Sequence, residues 1–128
     1  RLRRALMPGY GDVHVIDILT ADSASFVYGA DGRKQEVWVT TEVEDGYMAG
    51  GNAREVAQFA QRGITLDAVA LLPLGVEVPT ETGYVDTTCQ VTCTDDELHP
   101  YLRGTYRVIE VHPLLGHLRL MLARTQRR

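Results

Sequence analysis

Cys89 and Cys93, with His99, His112 and His117 downstream, are the side chains best suited to hold a metal or close a disulfide. Their spacing works against both. Residues four apart on an extended strand stand about 13 Å from each other, and a disulfide tolerates no more than ~7 Å between Cα atoms. Thiolates that far apart cannot share one zinc ion, although a helical 89–93 would bring them together. On a strand both cysteines fall on the side of Val85 and Val91, where a free thiol packs as a small hydrophobe. Asp95-Asp96-Glu97 beside His99 lacks the alternating ligands and glycine of a calcium loop and reads as a solvated turn. Ser23 and Ser25 are the only serines; they lie in no nucleophile elbow and have no base nearby in sequence. No phosphate loop, dinucleotide fingerprint or zinc-protease helix occurs. The residues predict neither an enzyme nor a metal site, and no cofactor is expected.

The elements that would position these side chains are mainly strands. Leu2, Ala5 and Leu6 fall at helical spacing before Pro8-Gly9, which predicts a short helix or arm over residues 1–10. From Val13 the period becomes two, with Val13, Val15 and Leu19 sharing a side and Asp17 as its odd member. Phe26 to Tyr28 and Val37 to Val43 read as a hairpin about Gly29-Ala30-Asp31-Gly32, where Asp-Gly supplies a tight turn. Asn52 to Glu55 has capping-box spacing and Gly63 suits a C-terminal cap, which favours a helix over 53–62; a long exposed loop is the alternative. Strands are expected over 64–72 and 85–91, and the clearest hairpin pairs 106–111 with 118–122 through the loop 112–117. Strands at this spacing predict a mainly β fold, a small antiparallel barrel or sandwich with an N-terminal helix and one internal helix or loop. No repeat or linker divides the 128 residues, so one domain is expected: the arm, a barrel over 12–123 and a basic tail over 124–128.

Charge narrows the function classes. The formal net charge is −4, with all 17 acids between Asp12 and Glu110. Residues 5–123 hold seven bases against 17 acids, a net of −10, between ends carrying Arg1, Arg3, Arg4 and Arg124, Arg127, Arg128. An acidic body does not grip phosphate, which argues against non-specific nucleic-acid binding. The basic ends read either as solvated tails or as docking arms for an acidic neighbour, such as another copy of the chain. The longest apolar run, Ala68 to Val76, is half of what a membrane span needs and contains Pro73 and Gly75, so no membrane partner is expected. No apolar stretch follows the first arginines, so no signal peptide is predicted. Two cysteines suit a reducing compartment or an assembly without staples. Trp38, on a polar-patterned side of its strand, reads as a buried anchor or an interface hot spot. Leu114-Leu115 at a hairpin tip forms an apolar patch unless another chain covers it, and His112 and His117 flank that loop.

The order of segments resembles the head-to-tail joining proteins of long-tailed bacteriophages, the adaptor and stopper group beneath the portal. Glu36-Val-Trp-Val-Thr40, then Gly50-Gly-Asn-Ala-Arg-Glu55 and Ala57-Gln58, is similar to that family's tryptophan strand, small-residue turn and Glu…Ala-x-x-Gln stretch. Leu102-Arg-Gly-Thr-Tyr-Arg-Val-Ile-Glu-Val111 followed by His117-Leu-Arg-Leu-Met-Leu122 resembles its closing hairpin, and Val69-Ala-Leu-Leu-Pro73 also fits. The stretch 80–97 departs from the family pattern, being longer and carrying both cysteines.

The resemblance implies a small β-barrel whose copies form a ring in the virion neck, made in the host cytoplasm. Such a ring binds the portal or adaptor protein on the head side and the tail terminator or tail tube protein on the tail side. Double-stranded DNA passes through without sequence-specific binding. A loop facing the channel is implied over 47–62, with Tyr47, Met48, Asn52, Arg54, Glu55, Gln58, Gln61 and Arg62 as candidates. The candidate subunit interface is Arg1, Arg3, Arg4, Trp38, His112, Leu114, Leu115, His117, Arg124, Arg127 and Arg128. An acidic wall would repel the phosphate backbone and let the duplex slide. Two other readings remain open: a further virion subunit such as a tail-completion protein, and a monomeric β-barrel that binds a ligand or peptide in a preformed pocket.

Overall fold

The computed structural model describes residues 13–125; the arm expected over 1–10 and residues 126–128 of the basic tail lie outside them. Six antiparallel strands follow one another as β1 (His14–Tyr28), β2 (Lys34–Ala49), β3 (Ala68–Pro73), β4 (Gln90–Cys93), β5 (Gly104–Leu114) and β6 (His117–Arg124). One helix, α1 (Ala53–Gln61), joins β2 to β3. The spatial order β1-β2-β3-β6-β5-β4 closes on itself through β4 and β1, so the sheet is a barrel and not a sandwich. Closure rests on a short ladder, Asp17↔Thr92, Ile18↔Val91 and Leu19↔Gln90.

Alternation decides what fills the barrel. Ile16, Ile18, Ala68, Ala70, Leu72, Val91, Cys93, Tyr106, Val108, Leu118, Leu120 and Leu122 belong to one buried cluster. On β1 the interior positions are Ile16 and Ile18, and the side shared by Val15, Asp17 and Leu19 lies only half-buried. Both sides of that strand are apolar, and turning Ile16 and Ile18 inward keeps the Asp17 carboxylate out of the core. Segments between strands cap the ends. Val78 and Val85 enter the core from the β3–β4 connection, and Leu98 enters it from the β4–β5 connection. The strand expected over 85–91 starts only at Gln90 and runs on to Cys93, because the Cys89 amide donates to the Asp86 carbonyl and closes a turn before it. Both cysteines are free and buried, and burial pushes each thiol pKa up. Cys93 donates to the Val15 carbonyl at 3.3 Å.

β3 is buried on both faces, unlike a barrel strand with one wet side. The cause is α1, which lies outside the wall. Phe59 packs there with Leu66, Val69 and Met121, and with the half-buried Ile64 and Ile109. Asn52 caps the helix by accepting the Glu55 amide at 2.8 Å, and Gly63 ends it at φ 74°, where other residues are strained. The helical alternative for 53–62 is thus the one realised.

β1 and β2 run far past the barrel. They pair with each other from His14↔Gly46 to Tyr28↔Lys34, with a break in register between Asp22 and Phe26. At the barrel end β2's backbone packs on Ile16, since a Cβ added to Gly46 would lie 2.5 Å from Ile16 Cδ1. The β5–β6 turn is also tighter than expected, only Leu115-Gly116, so 112–114 and His117 belong to the ladder. The strand directions place this tip and the outer part of the β1–β2 ribbon toward the same end of the molecule.

Candidate functional site

Three surfaces carry the candidate residues: the flank under α1, the β5–β6 tip and the ribbon. On the flank, Glu55 and Arg119 form a two-pronged ion pair, with both side chains largely shielded. Arg62 Nη2 meets Glu110 Oε2 at 2.8 Å and its guanidinium lies 4.4 Å from the Phe59 ring centre. His112 Nε2 meets the other oxygen of Glu110 at 2.8 Å. Of the residues expected to face a channel, Glu55 and Arg62 are thus engaged with the barrel, while Asn52, Arg54, Gln58 and Gln61 are exposed. Tyr47 and Met48 belong to β2 and to no loop. Met48 is buried in the barrel core, because its position faces inward opposite Ala70, and it is corrected from the channel-facing set. Tyr47 stacks on His14, whose Nδ1 accepts the Met48 amide at 3.3 Å.

These ion pairs set an acid limit. The Arg119 hydrogen bond holds the Glu55 carboxyl below its ordinary pKa, and His112, then Arg62, do so for Glu110. Below the ordinary carboxylate value of 4.5 the unfolded chain takes up protons that the folded carboxyls refuse. Stability is therefore expected to be level from neutral pH to about that value, and to fall as pH drops through the lower folded values. Urea unfolding followed by circular dichroism at stepped pH checks this; the Glu55→Gln variant should show a shallower acid slope, and an unchanged slope would rule the pair out as its source.

At the β5–β6 tip Leu115 is wholly exposed and Leu114 is 42% exposed. Beside them Tyr47, Ala49, Val69, Leu71, His117 and Arg119 line a shallow cleft of about 250 Å³. His117 Nδ1 is buried there with no hydrogen-bond partner among the described residues. Trp38 lies on the ribbon at 39% exposure, so the buried-anchor reading gives way to the exposed one: no strand stacks over it among the described residues. Arg124 is not part of a tail. It ends β6, its backbone amide bonds Asp67 at 2.7 Å, and its side chain reaches the Arg103 and Tyr101 carbonyls. Arg1, Arg3, Arg4, Arg127 and Arg128 lie outside the described residues.

Cys89, Cys93 and the histidines are not assembled into one centre, and no three His, Cys, Asp or Glu side chains among the described residues are placed to hold a metal. No described helix is long and apolar enough to cross a membrane. Sequence reading missed the unusual length of the ribbon and the role of Arg119, whose partner lies 64 residues away. No protein-family model matches the chain, and no curated protein is significantly similar to it.

Proposed function

We propose that this chain is a structural subunit of a bacteriophage neck, a stopper or adaptor. Its copies form a ring joining the portal side of the head to the tail around the DNA channel. The observation that carries the reading is the exposed leucine pair at the β5–β6 tip, beside a shallow cleft, on a body rich in carboxylates. Paired exposed leucines favour coverage by another protein chain, and the surplus of acids favours a wall that phosphate slides past. The segments that carry the resemblance fall on β2, α1, β3 and the β5–β6 hairpin, and the small closed barrel is the fold it implies. The partners proposed are other copies of the chain, a portal or adaptor above and a tail protein below.

The test is electron microscopy of the native particle or complex containing the chain, averaged without imposed symmetry. A closed ring around a hole of about 20 Å or more, wide enough for duplex DNA, is expected. A compact single barrel within that particle would overturn the proposal and favour the monomeric binding module. A ring at another position along the particle would favour a tail-completion subunit.

A further inference from the structure

Strands of 15 and 16 residues are about three times the usual length, and the barrel uses only part of them. β1 pairs with β4 only through residues 17–19, and β2 pairs with β3 only through residues 47–49. Beyond those ladders the two strands have only each other as strand partners among the described residues. The result is a ribbon standing out of the barrel in which residues 20–28 of β1 run beside residues 34–39 of β2, with an open β1 edge of nine residues, about 30 Å long. Trp38, Val39 and Thr40 are exposed at successive positions, so both faces of β2 are open at that point. A two-stranded ribbon is marginal in water, and unpaired edges invite another strand.

The two open edges are complementary. One belongs to β1, which runs outward, and the other to β2, which runs back, so copies standing side by side with ribbons parallel bring β2 of one against β1 of the next as antiparallel neighbours. We infer that, within the ring proposed above and resting on it, the β1–β2 ribbons join edge to edge into one continuous antiparallel tube lining the channel. Area says why the occupant is a closed set of copies and not a single partner. An edge about 30 Å long and ~10 Å thick buries about 600 Å² in total, half the minimum of a stable dimer interface. Only a closed ring engages both edges of every copy and leaves none unpaired. Charge agrees, since residues 20–45 hold six acids against two bases, an excess that suits a surface facing DNA. The register break between Asp22 and Phe26 divides the β1 edge in two, so neighbour pairing is expected on either side of it and not across it.

Size follows from the strand count. With ~4.8 Å between strands tilted by about 40°, each copy adds about 4 Å to the tube's backbone diameter. A duplex about 20 Å wide plus side chains then requires at least about eight copies.

Hydrogen exchange on the isolated protein and on the native complex tests the inference. In the isolated chain the outward amides of 36–43 and of 20–28 should exchange freely; in the complex both sets should slow by at least about 100-fold. A ring whose ribbon amides exchange as in the isolated chain overturns the tube and leaves the ring standing. Protection of the β2 edge without the β1 edge also overturns it, since the strand partner is then another protein. A single copy in the complex overturns both.

Discussion

Tyr106→Ala is expected to lower the melting temperature by about 10–15 °C, the largest effect of any single truncation in the barrel. Tyr106 is the largest of the fully buried side chains, and it sits on β5 between the closing strand β4 and β6. Removing the ring deletes an aromatic side chain from a close-packed interior, a loss of about 3–5 kcal/mol. Two further contacts go with it. The hydroxyl donates to the Leu102 carbonyl at 2.6 Å, and the Arg124 guanidinium lies 5.0 Å from the ring centre. Tyr106→Phe separates these terms, since it keeps the ring and the cation contact; about 1 kcal/mol, or ~3 °C, is expected for the hydroxyl alone. Thermal unfolding by calorimetry measures both. A Tyr106→Ala protein melting within about 3 °C of the parent would mean that β4, β5 and β6 do not share one cooperative core.

What the sequence made legible follows from how local each feature is. The β5–β6 hairpin needs only alternation around a two-residue turn, and α1 needs only Asn52, Glu55 and Gly63 at their spacings, so both can be read along the chain. Barrel closure is different. It depends on Asp17, Ile18 and Leu19 meeting Thr92, Val91 and Gln90 some seventy residues away, which no local period encodes. The facing of β1 is not legible from its period, because Val13, Val15 and Leu19 are as apolar as Ile16 and Ile18; the cost of burying Asp17 breaks the tie. The ribbon stayed hidden because the register break at 23–25, in a Ser-Ala-Ser stretch, makes one long strand read as two short ones. For the candidate site, the leucine tip was legible as two adjacent apolar residues at a turn. The engagement of Glu55 by Arg119 was not, since it joins helix to barrel across 64 positions.

That engagement makes α1 a separable unit, and Phe59→Ala is the variant that reveals it. A nine-residue helix is marginal in water without packing, so its stability is that of its docking. Docking rests on Phe59 in the small outer cluster and on the Glu55–Arg119 and Arg62–Glu110 pairs. Truncating Phe59 removes about 3 kcal/mol, which is a hundredfold or more in the opening equilibrium of the helix. It also strips the ring beneath Arg62, weakening the second pair. The barrel interior does not share this loss, because Ile16, Ile18 and Leu72 belong to the other cluster. Amide exchange across α1 is therefore expected to rise about 100-fold while the amides of Ile18 and Leu72 keep their protection. Glu55→Gln, which keeps the ring and weakens one pair, should raise helix exchange by about tenfold. Equal loss of protection in helix and barrel would show that α1 unfolds only with the whole domain, as a fixed part of the wall. If α1 opens alone, residues 53–62 hold a route to rearrange on assembly while Tyr47 and Met48 stay in β2: release of Glu55 and Arg62 from the flank, at a cost that Phe59 sets.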